Sequence, residues 1–206
     1  MVPPRTVRRG AAVLYPPRVK ITVEHLWDGS PAAADERVAI TLRATDAAGT
    51  LQIEVEAPFH GDPPPPHAAG ATPGLWNHEV VELFLYGADG RYLEVELGPH
   101  GHHLVLELRG VRQVTRQGLV IAFDREIVGA RWHGRASIPG ALIPAGTDRL
   151  NAHAIHGVGE DRRYLSAFAA GGARPDFHRP DVAGPIEPGL LAELGGPLRA
   201  AVASGT

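Results

Sequence analysis

Between Glu79 and Leu108 the chain gathers an unusual density of groups that can exchange protons or bind polar atoms: Glu79, Glu82, Tyr92, Glu94, Glu96, His100, His102, His103 and Glu107. Read as strands, side chains alternate across the backbone. On that basis Val81, Leu83 and Leu85 share one face with Leu93, Val95, Leu97 and with Leu104, Leu106 and Leu108. The opposite face then collects Glu82, Tyr92, Glu94, Glu96, His103 and Glu107. Carboxylates so grouped repel one another unless water, a cation or basic side chains intervene. Arg109, Arg125 and Arg163 are the expected partners. A solvated sheet face is the plain alternative, but such faces are commonly filled with Lys and Thr, and this one has neither.

Two chemistries suit the cluster. Carboxylates and a tyrosine accept from and donate to the hydroxyls of a sugar or similar small polar ligand, with an indole stacking on its C–H face. Of Trp27, Trp76 and Trp132, Trp76 is best placed, since it directly precedes the Glu-bearing strands. Alternatively, histidines joined by a carboxylate hold zinc, manganese or iron. His100, His103, His156 and His178 are the candidates for such a divalent metal, which would make the chain a metal-dependent enzyme using a His/carboxylate site. Glu94 and Glu96, two apart on one strand, lie roughly 7 Å from each other by strand rise. That spacing fits an inverting glycosidase pair and is also common without catalysis. No G-x-S-x-G, H-E-x-x-H, phosphate-binding or Rossmann motif is present. A third reading is an interaction module with no small ligand.

The elements that must position these residues are mostly short strands. Val19–Val23, Val38–Leu42 and Leu51–Glu56 alternate apolar and polar positions. The stretch 57–74 is a proline-rich loop, and Pro63–Pro66 form a stiff segment able to wall a pocket or simply to connect. Strands follow over Glu79–Leu85, Arg91–Leu97 and His102–Leu108, with turns at Ala88-Asp89-Gly90 and Gly98–Gly101. Further strands are expected over Val114–Ile121, Trp132–Ile138, Leu150–His156 and Arg163–Phe168, and one helix over Pro188–Val202, interrupted at Gly195-Gly196-Pro197. The expected fold is all-β, an antiparallel β-sandwich with a short C-terminal helix. Residues 1–18 are expected to form a flexible leader, 19–182 the sandwich, and 183–206 a tail carrying the helix.

Composition narrows the partners. With 206 residues and a formal charge of -3, nucleic acid is an unfavourable partner. The absence of cysteine removes disulfides and thiolate chemistry. No apolar run reaches the length of a membrane helix, and the short run after Arg8-Arg9 meets Pro16-Pro17 too soon for an export signal, so a cytoplasmic location is expected. Oligomeric state is left open.

Leu75-Trp76-Asn77-His78-Glu79-Val80-Val81-Glu82-Leu83-Phe84, and the stretch from Tyr92 through Gly98-Pro99-His100-Gly101-His102-His103 to Leu106, resemble an uncharacterised family known chiefly through a chromosome-four open-reading-frame product. Glu24–Gly29, Ala57-Pro58-Phe59, Asp62-Pro63-Pro64, Ala154–Gly157 and Pro175-Asp176-Phe177-His178 extend the resemblance over about residues 22–180. The family has no assigned activity. The W-x-x-E-x-V-E pattern followed by a Tyr-Leu-Glu strand is similar, more distantly, to carbohydrate-binding-module-like domains of family 9. That likeness implies a β-sandwich with a sugar or other small polar ligand on a sheet face, and here Trp76 has no second aromatic assigned to it. Taken together, the expected ligand-binding set is Trp76, Glu82, Tyr92, Glu94, Glu96, His103, His156, Asp176 and His178.

Overall fold

The computed structural model describes residues 18–46 and 48–194. In chain order the strands are β1 Val19–Val23, β2 His25–Leu26, β3 Val38–Ala44, β4 Leu51–Pro58, β5 Gly70–Ala71, β6 Val80–Tyr86 and β7 Arg91–Leu97. They continue with β8 His102–Arg109, β9 Val114–Gln117, β10 Ala122–Val128, β11 Arg131–Ile138, β12 Arg149–His156, β13 Arg163–Ser166 and β14 Gly184–Pro185, before the helix α1 Pro188–Leu194. They form two sheets. The first runs β1-β3-β4-β11-β10. The second runs β2-β13-β12-β6-β7-β8-β5, with β14 added beside β12 and β9 beside β8. Pairing is antiparallel except between β5 and β8. The expected sandwich is what the chain forms.

The first sheet shows why its strands were readable. β1 and β3 alternate buried and accessible positions, because one face packs inward and the other meets solvent. Ile21, Val23, Ile40, Leu42, Ile53, Trp132 and Ile138 project from it into the inter-sheet core. Gly134 makes room there: a Cβ at that position would sit 2.7 Å from Cζ3 of Trp132. From the second sheet Val81, Leu83, Leu85, Leu93, Val95, Leu97, Ala152 and Ala154 complete the core, and Leu190 of α1 joins it.

The second sheet is buried on both faces. Every residue of β6 is inaccessible, as is nearly all of β7 and β8. Its outer face carries a second apolar cluster of Leu75, Val80, Phe84, Tyr86, Tyr92, Leu104, Leu106, Leu108 and Ile155, roofed by Tyr164, Phe177 and Ala183. This corrects the face assignment expected for β8. The register pairs Leu97 with His103, Glu96 with Leu104 and Glu94 with Leu106. Leu104, Leu106 and Leu108 therefore share a face with the glutamates, whereas His103, Val105 and Glu107 lie on the inter-sheet side. Hydrophobicity cannot choose between the faces of a strand whose two sides are both covered; the β7–β8 turn, with Gly101 at φ 88, sets the register instead.

Two strand expectations also change. β10 was not anticipated, and β9 stops at Gln117 where a strand to Ile121 was expected. β10 (Ala-Phe-Asp-Arg-Glu-Ile-Val) is an edge strand accessible along almost its whole length, so it lacks the apolar alternation that marks buried strands. It is held by its register with β11, from Ala122 opposite Ser137 to Val128 opposite Arg131. The expected leader, apart from Arg18, and the helix continuation across Gly195-Gly196-Pro197 lie outside the described residues. Among the described residues no helix is long and apolar enough to cross a membrane.

Trp132, 1% exposed, fills the centre of the core, so Trp132→Ala should cost about 3–5 kcal/mol in urea unfolding. Glu126→Ala on exposed β10 should change the midpoint little.

Candidate functional site

The outer face of the second sheet brings three glutamates together. Glu82 on β6 lies directly opposite Glu96 on β7, and Glu94 sits two residues before Glu96 on the same face. One carboxyl oxygen from each falls within 4.8 Å of the others. All three side chains are buried. Both oxygens of Glu96 and Oε2 of Glu94 have no hydrogen-bond partner. None of the expected arginines reaches them: Arg163 forks onto Glu36 at 2.8 and 3.0 Å, Arg125 leans on the His100 carbonyl, and Arg109 is exposed at the end of β8.

Burial disfavours the charged form of each, and for Glu82 and Glu96 the neighbouring carboxylates add to it, whereas the Glu96 carboxyl facing it as a proton donor and the Arg112 charge hold Glu94 back. Glu82 is held well above the usual carboxylate range by desolvation and then by Glu94. Glu96 is held there by desolvation and then by Glu82 and Glu94. Glu94, also desolvated, is pushed up only to about 7. The group therefore offers neutral carboxyls that donate as well as accept hydrogen bonds.

Above the glutamates opens a cleft of about 470 Å³, lined by Trp76, Asn77, Glu82, Glu94, Leu106, Leu108, Arg112, Val114, Ile155, Arg162, Tyr164 and the segment 175–178. Trp76 stands on the 3-10 turn Leu75–Asn77, which Gly74 opens in the left-handed conformation at φ 74. Leu75 anchors that turn in the second apolar cluster, while Trp76 is left 44% exposed. The Arg162 guanidinium donates to the carbonyls of Trp76 and Asn77 and lies 5.6 Å over the Tyr164 ring. That grip fixes the backbone beneath the indole.

The opposite wall is a hydrogen-bonded clamp. Arg112, the one non-glycine residue at positive φ (59) among those described, presents its amide to the Tyr92 hydroxyl at 3.0 Å. The same hydroxyl bonds Nδ1 of His178 at 2.8 Å. The other ring nitrogen, Nε2, lies 4.0 Å from Oε2 of Glu94. Burial first, then the nearby Arg112 charge, lowers the His178 pKa to about 4, so the ring is neutral at physiological pH. Asp176 ties the clamp together by accepting from Arg112 Nη2 at 2.7 Å and from the His178 amide at 3.1 Å.

Of the expected site residues, then, Trp76, Glu82, Tyr92, Glu94, Asp176 and His178 converge, with Glu96 directly behind them. His103 does not: it sits on the inter-sheet side, edge-on to Phe123 at 6.3 Å. His156 and His100 belong to a separate junction. There His156 stacks on His60 at 3.6 Å and faces Glu36 at 3.3 Å. His100 meets the Asp62 carbonyl at 3.3 Å, while the Glu79 carboxyl accepts from the amides of His60 and Asp62. None of Pro63–Pro66 lines the cleft. Sequence reasoning passed over Arg112, Arg162, Tyr164, Phe177 and His153. Buried His153 lies opposite Glu82 in the sheet, bonds Ser166 at 2.8 Å through Nδ1 and stacks on Phe177 at 3.9 Å. Its place at the centre of the Leu150–His156 strand was the available signal.

The raised Glu94 pKa has a stability consequence. Its neutral form is favoured on folding, so its contribution is complete below about pH 4.5 and is lost as pH rises toward 7. In chelator-treated protein, Glu94→Gln should flatten the fall in unfolding free energy between those pH values. It should stabilise the fold at pH 7 by up to roughly 3 kcal/mol. His153, lowered to about 3, acts oppositely, its contribution being lost as pH falls below about 6.5. Chemical denaturation from pH 4 to 8 reads both.

No family model matches the chain. Among curated proteins it is similar to the UPF0462 protein C4orf33 of Homo sapiens, 39% identical over 165 residues, 76% of this chain and 81% of that one. The Rattus norvegicus homologue is 40% identical over 166 residues (76% and 82%), and the Danio rerio homologue 37% over 166 (76% and 83%). Among solved structures, a Bacteroides uniformis protein provisionally described as carbohydrate-binding superposes with a TM-score of 0.61 at 17% identity, covering 82% of this chain and 86% of that one. It shares the fold. A family-9 carbohydrate-binding module from Caldicellulosiruptor kristjanssonii, solved with cellotriose, gives a TM-score of 0.40 at 10% identity, over 66% and 68% of the two chains. At such identity over four-fifths of its relatives' length, this β-sandwich chain belongs to the UPF0462 (C4orf33) family.

Proposed function

We propose that the cleft binds a small, hydroxyl-rich ligand, with a carbohydrate as the leading class. The observation that carries this reading is the pairing of an exposed indole, Trp76, at the rim with unpaired carboxyl groups at the floor. A sugar presents a C–H face that stacks on an aromatic ring and an edge of hydroxyls that need both donors and acceptors. Glu82, held toward its neutral form, and Glu94, shared between its two forms near pH 7, supply both roles, and Arg112 with Asp176 adds a charged pair at the far wall. The volume suits a ligand of mono- or disaccharide size. Description of the Bacteroides protein as carbohydrate-binding accords with this reading at the level of fold.

The formal charge of -3 disfavours nucleic acid, which needs a concentrated positive surface. A cytoplasmic setting completes the proposal and rests on the cysteine-free composition. Of the four histidines in the His/carboxylate enzyme reading, His178 alone approaches the glutamates, its Nε2 4.0 Å from Glu94 Oε2, while His100, His103 and His156 stand away from them.

Thermal-shift and NMR titration with a panel of neutral mono- and disaccharides at millimolar concentration tests the proposal. Stabilisation by one or more sugars should be lost in Trp76→Ala and in Glu82→Gln. Trp76→Ala, removing an exposed side chain, should leave the ligand-free midpoint nearly unchanged. Silence across the panel, or a response that survives Trp76→Ala, would contradict it.

A further inference from the structure

We infer that Glu82, Glu94 and Glu96 form a binding site for a hard divalent cation, Ca²⁺ or Mn²⁺, held by carboxylate oxygen alone. The inference goes beyond sugar binding and does not rest on it.

Geometry supplies the first support. Oxygen ligands of Ca²⁺ lie at about 2.3–2.6 Å, so two on one ion are at most about 5 Å apart. The three carboxyl oxygens, all within 4.8 Å of one another, satisfy that limit. Mg²⁺, with shorter bonds near 2.1 Å and a strict octahedron, fits such a spread less well.

Orphaned polar atoms supply the second. Glu96 is 0% exposed, and the Glu94 carboxyl and Trp76 amide near it both fall outside hydrogen-bond geometry, so neither of its oxygens, nor Oε2 of Glu94, is properly partnered. Buried polar groups are normally satisfied, because each unmet one costs its full desolvation. A non-acidic atom shows the same deficit: Nε2 of His153, the direct cross-strand neighbour of Glu82, is buried without a partner. Elsewhere the fold does satisfy its buried carboxylates, as where Glu79 accepts two backbone amides and Glu36 takes the Arg163 fork. Among the described residues the unpartnered buried carboxyl oxygens are confined to Glu94 and Glu96, although unpartnered buried nitrogens also occur at His102, His103, Arg131 and His156.

Burial also divides the three roles. Glu82 and Glu94 line the cleft, whereas Glu96 lies behind them. A cation held by Glu96 from beneath and by the other two at the sides would turn its remaining coordination positions to the cleft, where water or ligand hydroxyls can fill them.

The test is calorimetric titration of EDTA-treated protein with CaCl2, MnCl2 and MgCl2, repeated on Glu96→Gln and on Glu107→Gln. Glu107, partnered by Arg116 at 2.8 Å, controls for loose association with surface carboxylates. Expected is one-to-one uptake of Ca²⁺ or Mn²⁺, weakened by about tenfold or more in Glu96→Gln and unaltered in Glu107→Gln. The same ions should raise the thermal midpoint of the wild type by several degrees and leave Glu96→Gln unmoved, and circular dichroism confirms that the variant folds. No uptake by wild type up to roughly 10 mM, or equal uptake by Glu96→Gln, overturns the site. Sugar titrations run with and without EDTA separate this failure from failure of the sugar reading.

Discussion

Carboxyl groups on a sheet face that is sealed from water set the terms for everything around them. Ionised carboxylates are costly in such a place unless paired, and here Glu82, Glu94 and Glu96 crowd together with no lysine or arginine in ion-pair contact and only neutral His178 near, 4.0 Å from Glu94. The sheet can carry them because its other face takes up the inter-sheet core and its own outer face is otherwise aliphatic and aromatic. The surrounding elements follow from that arrangement. The Leu75–Asn77 turn and the segment 175–183 roof the face, Tyr164 of β13 flanks it within the sheet, and the cleft opens between Trp76 and His178.

That roof is held by polar contacts of a kind the glutamates lack. Arg112 accepts an unfavourable backbone conformation to aim its amide at Tyr92, and Tyr92, His178 and Asp176 follow in one hydrogen-bonded chain. Arg162 fixes the carbonyls beneath Trp76 from the other side. Beside the Trp76 turn, the junction of His60, His156, Glu36, Asp62 and Glu79 gives its carboxylates arginine or amide partners. A fold that pairs those carboxylates and leaves three others unpaired at the floor of a cleft is arranged to receive something polar from outside.

The sheets were legible where burial is one-sided. β1 and β3 show the alternation that a half-buried strand imposes, and Asp89-Gly90 marks the turn between β6 and β7. β10 was invisible because an exposed edge strand is defined by its pairing with β11, which sequence periodicity does not record. Glu82, Glu94 and Glu96 could be placed together since β6 and β7 join through a short turn. His103 was misplaced because the aliphatic face of β8 (Leu104, Leu106, Leu108) packs into the outer apolar cluster and not the inter-sheet core, a register set by the Gly98–Gly101 turn. Arg112, Arg162 and Phe177 were out of reach for a different reason: each arrives from a loop whose docking depends on contacts distant in sequence.

The central claim is that three buried glutamates share one uncompensated site, and the carboxyl carbons report on it directly. Carbon-13 NMR of glutamate-labelled, metal-free protein, followed from pH 4 to 9 with Glu→Gln variants for assignment, reads each group. The account predicts that Glu82, Glu94 and Glu96 titrate above the ordinary carboxylate range, and that removing Glu94 shifts both Glu82 and Glu96 downward. Ordinary titration of all three near 4.5, independent of one another, would contradict it.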